Sequence, residues 1–443
     1  MKKFIILLLS LGLLLTLLSS CEMFVPDPTE RPSNWWESAE PAGSAEPSPS
    51  QTLWQEGVGP DYDRRFVHDD ICSTKDTVYF RSDKMVTESV GGTDLIYYAD
   101  KATGICLPLC GKPECTHSDG NCNAYAQGGM YSGLTNYNGR LYWIGQKGTW
   151  LTGGGQWYVF SMAYDGTDRR EVRKIPSDWV SGQMQTRTVF HRGHVYTCNL
   201  RNEVVNGKAK EVVNVVAYPL DEGDGDGMAI LRAEEVQYNH VALQPYEEYV
   251  YIAFMTEDDV FELHRWDTRV GELETLYRGE APLYWAEQFW VTEDGVLFGT
   301  RELTDPDAYN EEDWEWPPLE YPEESWEYAI YRFSFETSDF ELVSRFHIAD
   351  MYFTNVRLID GLVIANWSEP DPHIIRVLVK DLAGETLLDA TFDDVDWCIF
   401  PNAAMGCYGM DEEYLYFCKL GQQYISVSLD GSEIRLLFDR QPD

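Results

Sequence analysis

Near its C-terminus the chain reads Asp411-Glu412-Glu413-Tyr414-Leu415-Tyr416-Phe417-Cys418. It then reads Tyr424-Ile425-Ser426-Val427-Ser428-Leu429-Asp430-Gly431-Ser432-Glu433-Ile434-Arg435-Leu436-Leu437. Apolar and polar residues alternate with a period of two, the spacing at which successive side chains point to opposite faces of a strand. Asp430-Gly431 tolerates the positive φ of a tight hairpin turn. The stretch therefore reads as strand, turn, strand, loop, strand, turn, strand.

Working outward, the same unit recurs. Its second strand carries an apolar-aromatic or apolar pair at Val78-Tyr79, Leu141-Tyr142, Val195-Tyr196, Val250-Tyr251, Leu297-Phe298, Leu362-Val363 and Leu415-Tyr416, spaced by 47 to 65 residues. The turn before it is often Asn-Gly or Asp-Gly, as at Asn138-Gly139, Asp294-Gly295 and Asp360-Gly361. A second hairpin follows, turning at Asp100 to Gly104, Asp165-Gly166, Asp221 to Gly227, Asp267 to Gly271, Glu336 to Asp339, Asp381 to Gly384 and Asp430-Gly431. Four short antiparallel strands cannot bury both faces alone, so such units stack around an axis. The sequence predicts an all-β chain with a single β-propeller of seven four-stranded blades. A strand borrowed at closure from either terminus would make the number six or eight. The pattern is similar to propellers of the YWTD, TolB and WD type. Trp266-Asp267 stands where WD repeats place their dipeptide, but the preceding Gly-His pair is missing.

The N-terminus reads as an address. Lys2 and Lys3 precede the apolar run Phe4 to Leu18, which is shorter than the roughly twenty residues of a membrane span. Leu18-Ser19-Ser20-Cys21 resembles the lipobox of bacterial lipoproteins, which implies diacylglycerol on Cys21 and cleavage before it. Residues 21–60 carry seven prolines among Ser, Glu, Ala and Gly and read as an extended tether. The expected organisation is a signal peptide over 1–20, a lipidated tether over 21–60 and the propeller over 61–443. The protein is then extracytoplasmic, anchored to the cell membrane by lipid. The formal charge of −40 argues against a nucleic-acid partner and suits either solubility or a cationic one.

Two segments stand out inside the domain. Leu109 to Cys122 holds Cys110, Cys115, His117 and Cys122. Three thiolates and an imidazole can close a tetrahedral, structural zinc site. An exported protein meets an oxidising compartment, which favours a disulfide instead, with His117 a plain loop residue. Both readings stay open here. Of ten cysteines, nine remain besides Cys21, so at least one forms no intramolecular bridge. With the lipobox and the repeats, this Cys-x-x-Pro-x-Cys-x-His loop resembles one in functionally uncharacterised propeller lipoproteins of Gram-positive anaerobes. That resemblance implies no activity. The second segment, Glu302 to Glu327, interleaves eleven acidic residues with Tyr309, Trp314, Trp316, Tyr321 and Trp326. Trp314, Trp316, Tyr321 and Trp326 form a candidate ligand face for sugar rings or cations. Both segments are expected on the face built by second-to-third-strand loops and blade-to-blade connections.

Other motifs carry less. Asp221 to Gly227 departs from a calcium loop, because Ala233 falls where a bidentate Glu belongs, and it reads as a polar hairpin turn. No G-x-S-x-G, H-E-x-x-H or phosphate-binding glycine loop is present. His191 and His194 flank a turn and are expected to be exposed. With Glu412 and Glu413 as turn residues, Cys407 falls opposite Cys418, a candidate disulfide pair. Opposed Cβ atoms lie about 4.5–5.5 Å apart, against the ~3.8 Å a disulfide prefers. No catalytic residue is assigned. The chain reads as a binding module for a glycan, peptide or protein, with a propeller enzyme acting on carbohydrate or peptide as the alternative.

Overall fold

The computed structural model describes residues 61–67, 70–84, 93–117, 121–126, 133–147, 156–176, 188–205, 208–221, 227–234, 236, 241–256, 258–283, 288–303, 326–348, 355–368, 375–392, 406–419 and 423–439. These form a seven-bladed β-propeller of antiparallel sheets, and none of the described residues is helical. The innermost strands are Ile71–Ser73, Thr135–Tyr137, Val189–His191, Ala242–Tyr246, Gln288–Val291, Asn355–Ile359 and Gly406–Met410. Each packs beside the next, and the last beside the first, so the ring closes. Every apolar pair quoted above lies on a second strand: Tyr79 within Thr77–Lys84 and Tyr416 within Tyr414–Lys419 bound the series.

The turns explain why these residues hairpin here. Asn138-Gly139 and Asp360-Gly361 are left-handed at both positions, as a two-residue hairpin demands. In the third-to-fourth-strand turns an aspartate cap recurs. Asp100, Asp165, Asp267, Asp381 and Asp430 each accept, through Oδ1, a backbone N–H two or three residues on. Asp294-Gly295 differs from expectation, because Gly295 is not left-handed. A Cβ there would lie 2.3 Å from the Phe333 carbonyl oxygen, so close backbone approach is what requires the glycine.

Alternate side chains of each blade feed the apolar layers on its two sides. Leu415 and Phe417 pack toward blade six, while Tyr416 and Cys418 pack toward blade one. Each fully buried Leu, Val or Phe contributes about 1.5–3 kcal/mol. Among the described residues no strand crosses from the first blade into the last, since the strands of each are consecutive in the chain. Polar contacts reinforce that seam. Lys101 Nζ lies 2.6 Å from Asp411 Oδ2, Ser73 Oγ donates to the same oxygen at 3.0 Å, and Tyr424 donates to the Arg81 carbonyl at 2.6 Å.

Two expectations are corrected. Met410 faces Leu415 and Gly409 faces Tyr416, the predicted register, but Tyr408 bulges out. Beyond that bulge Cys407 faces Phe417 and Gly406 faces Cys418. One extra residue turns the strand over, so Cys407 points into the layer with blade six and Cys418 into the layer with blade one. Neither cysteine is joined in a disulfide. His191 is 3% exposed on an innermost strand, and His194 is half-buried behind it, so neither is the exposed turn residue expected. Trp266 is a buried core residue at a strand end, which its position in an alternating strand explains.

Candidate metal centre

The fourth strand of blade one is split. Cys106–Pro108 pairs with Tyr97 to Ala99, and Tyr125–Ala126 pairs with Asp94 and Leu95 of the same third strand. Residues 109–124 leave that edge and return to it. The cysteine loop is thus an excursion from the outer rim of one blade, not part of the face predicted for it. Leu109 N donates to Ile96 O and Ile96 N to Ala124 O, each at 2.8 Å, pinning both ends of the excursion to the sheet.

Cys110, Cys115, His117 and Cys122 converge, with one ligand atom of each within 4.8 Å of all the others. None of the three cysteines is joined in a disulfide. A tetrahedral zinc ion with Zn–S of about 2.3 Å and Zn–N of about 2.0–2.1 Å needs ligand atoms roughly 3.5–3.8 Å apart. Four converging soft and imidazole donors fit that ion, and four protein ligands close the site, which is the structural arrangement. His117 adopts φ of 55°, a left-handed conformation uncommon outside glycine, and its Nδ1 stands 3.3 Å from Cys122 Sγ. A short turn, Cys115 N to Lys112 O at 3.1 Å, brings Cys115 back toward Cys110.

The surroundings shift two thiols of the cluster in opposite directions. Burial alone would raise the Cys110 thiol, but N–H groups of Lys112 and Asn123 and the neighbouring Cys115 and Cys122 outweigh it and lower its pKa. Cys122 moves the other way: burial and the neighbouring Cys115 and Cys110 push it up to about 12. A divalent ion held by these residues would displace the thiol protons and offset the repulsion between neighbouring sulfurs.

The loop is held from outside by blade two. Gly111 N and Asn123 Nδ2 both donate to Gly166 O, at 3.2 and 2.7 Å. Gly166 is left-handed at φ 77°, and a Cβ there would lie 2.8 Å from Gly111 N and 2.9 Å from Cys110 N. Arg169 donates to the carbonyls of Cys122 and Asn123 at 3.2 and 3.4 Å. Its guanidinium lies over Phe160 and Trp143, 4.9 and 5.5 Å from the ring centroids. Sequence reading gave Gly166 only as a turn residue and did not single out Asn123 or Arg169, because the contacts join segments about 45 residues apart across a blade boundary.

The remaining expectations fall elsewhere. Cys21, the tether, Trp314, Trp316 and Tyr321 lie outside the described residues, as do positions 222–226 of the acidic turn. Trp326 opens the third strand of blade five and pairs with Leu303. Ala233 is a fourth-strand residue paired with Val213.

No protein-family model and no curated protein matches this chain. Solved structures do resemble it. The β-propeller domain of the Trilobed protease from Pyrococcus furiosus is 7% identical with a TM-score of 0.44, over 87% of this chain and 100% of that one. An acylaminoacyl peptidase from Pyrococcus horikoshii is 10% identical with a TM-score of 0.44, over 86% of this chain and 54% of its own. An oligogalacturonate lyase from Vibrio parahaemolyticus is 8% identical with a TM-score of 0.44, over 85% and 89%. The chain spans about half the length of the acylaminoacyl peptidases it resembles.

Proposed function

We propose that this chain is an exported lipoprotein, held to the cell membrane through lipid on Cys21, whose propeller is a binding module for a glycan, peptide or protein. In this reading Cys110, Cys115, His117 and Cys122 hold a structural zinc ion. Its kinship is with the propeller lipoproteins of Gram-positive anaerobes that the lipobox and the Cys-x-x-Pro-x-Cys-x-His loop resemble.

One observation carries the binding reading. Asp61 stands beside His191 and Arg192, where the first strand of blade three turns into the second. The chain therefore enters the propeller at the end formed by first-to-second-strand turns. The aromatic and acidic insertion leaves blade five at the Leu303–Trp326 pair, the end opposite its Thr292–Gly295 turn. The chain thus enters at one end and departs toward the insertion at the other, and in this reading the insertion meets the ligand. The one acid wholly buried among the described residues, Asp411, is ion-paired to Lys101 and is committed to the seam between blades.

The zinc ion would tie the two halves of the outer strand of blade one together and fasten them to blade two. Its residues supply no open coordination position, so the centre serves architecture. A glycan and peptide array probed with the intact domain tests the binding reading, followed by a hydrolysis assay on any ligand found. Retention without turnover is expected. Turnover of a bound glycan or peptide would make the protein a propeller enzyme instead. In its native type of host, Cys21→Ala should abolish labelling by a lipid precursor, and a labelled, membrane-associated mutant would overturn the anchor.

A further inference from the structure

The seven residues Asp61 to Val67 precede the first blade, yet they touch the innermost strands of four others. Asp61 Oδ1 and Oδ2 lie 3.3 Å from His191 Nδ1 and Arg192 Nε of blade three. The Arg64 guanidinium lies over the rings of Tyr246 and Trp290, 4.6 and 4.3 Å from their centroids, in blades four and five. It donates to Gln244 Oε1 at 3.5 Å and to the Val291 carbonyl. Phe66 bridges to Gly409 of blade seven and stacks on Tyr416 at 5.8 Å. Only a segment on the propeller axis reaches innermost strands that far apart around the ring.

The groove has the parts of a recognition site. Its backbone pairs with the segment, with Val67 N donating to Tyr408 O at 2.9 Å and Met410 N to Arg65 O at 3.3 Å. Its floor is glycine, since a Cβ on Gly409 would lie 2.4 Å from the Phe66 ring and 3.0 Å from its Cα. Its polar acceptor is fixed independently of the segment. Gln244 Oε1 accepts from Val291 N at 2.6 Å while its Nε2 donates to Phe289 O at 3.3 Å, so the contact between blades four and five sets the site for a guanidinium. Backbone pairing for affinity and separate pockets for alternating side chains are how extended peptides are bound.

We infer that the axial groove is a recognition site for an extended peptide carrying a carboxylate, an arginine three residues on and an aromatic two beyond that. Its resident ligand is this chain's own Asp61–Val67, which latches the start of blade one onto blades three, four, five and seven. Because no strand is exchanged between the first and last blades among the described residues, this latch reinforces a ring that otherwise closes there by packing and by side-chain contacts such as those of Asp411 and Tyr424. The inference is independent of lipidation and of what the opposite end binds.

The test uses the full chain with Arg64→Ala, Arg64→Lys or Gly409→Ala, and a labelled synthetic peptide spanning residues 58–69. Hydrogen exchange at Val67 and Met410 reads the latch, and exchange at Val377 in blade six reads the ring. In the wild type both latch amides should be protected and the peptide should not bind, because the groove is filled. Arg64→Ala should speed exchange at those two amides about tenfold or more while Val377 is unchanged. The wild-type peptide should then bind this variant and restore protection at Met410, and a peptide with alanine for arginine should not. Arg64→Lys should fall between, and Gly409→Ala should lose both latch and peptide. Unprotected latch amides in the wild type, no change with Arg64→Ala, or equal binding of both peptides would each overturn the inference.

Discussion

Two regions of this propeller are rich in cysteine, and they use it in opposite ways. At the rim of blade one, Cys110, Cys115, His117 and Cys122 sit on a loop whose backbone is released from the sheet, so four side chains turn toward one point. In blade seven, Cys407 and Cys418 sit on paired strands, where the pleat dictates direction and a single bulge sends them to opposite faces. Sequence proximity makes a cluster only where the backbone is free to choose its direction. Within a sheet, parity decides.

The largest test of that contrast is metal content. Cys122→Ser should take the protein from about one zinc per chain to about none, as read by elemental analysis, because structural zinc binding depends on every thiolate. Cys407→Ser should leave the zinc unchanged. A disulfide among Cys110, Cys115 and Cys122 found by non-reducing peptide mapping of freshly prepared protein would break the comparison outright.

Next in size is the seam that blade seven makes without cysteine chemistry. Lys101→Ala leaves the Asp411 carboxylate buried without its cation, which should cost about 3–5 kcal/mol in denaturant unfolding. Burial raises the Asp411 pKa, but Lys101, Tyr416 and the Glu413 N–H outweigh it and hold it below 3.8. A depressed folded-state value means that its stabilisation is complete above the unfolded value and is lost as pH falls through the folded one. Wild-type stability should therefore fall below pH 3.8 partly through this group. Asp411→Asn should flatten that part of the acid limb.

A smaller effect sharpens the account of the loop. Arg169→Ala removes the cation that fastens the carbonyls of Cys122 and Asn123 to blade two. Zinc affinity should weaken about 10–100-fold, the usual cost of losing an outer partner of a metal site. Competition with a chromogenic chelator measures it. An affinity unchanged by Arg169→Ala would mean that the loop orders itself without blade two.

The smallest effects belong to the buried pair. Cys407→Ala and Cys418→Ala should each cost about 1–2 kcal/mol through lost packing. Their effects should add to within about 0.5 kcal/mol in the double variant, since the two thiols pack in separate layers. Stability that changed with reductant, or a strong coupling between the two sites, would restore the register first read from the turn.

Much of the fold was legible from the chain. Strand alternation, Asp-Gly turns and seven recurring pairs located seven second strands and hence seven blades, because period-two patterning and turn chemistry are local properties. The composition of the candidate metal loop was legible too, since Cys110, Cys115, His117 and Cys122 stand within thirteen residues. Three things were not. The Tyr408 bulge has no sequence signal, and it alone turned a correct register at Gly409–Tyr416 into a wrong one at Cys407. The loop's position on the rim depended on a fourth strand broken into Cys106–Pro108 and Tyr125–Ala126, pieces too short to read. The axial seat of Arg64 and Phe66 depended on partners roughly 180 to 340 residues away, which only ring closure brings together. Local pattern thus determined the units and their number. Closure of the ring decided which side chains meet, because contacts across blades are fixed by the geometry of the whole circle and by no single stretch of it.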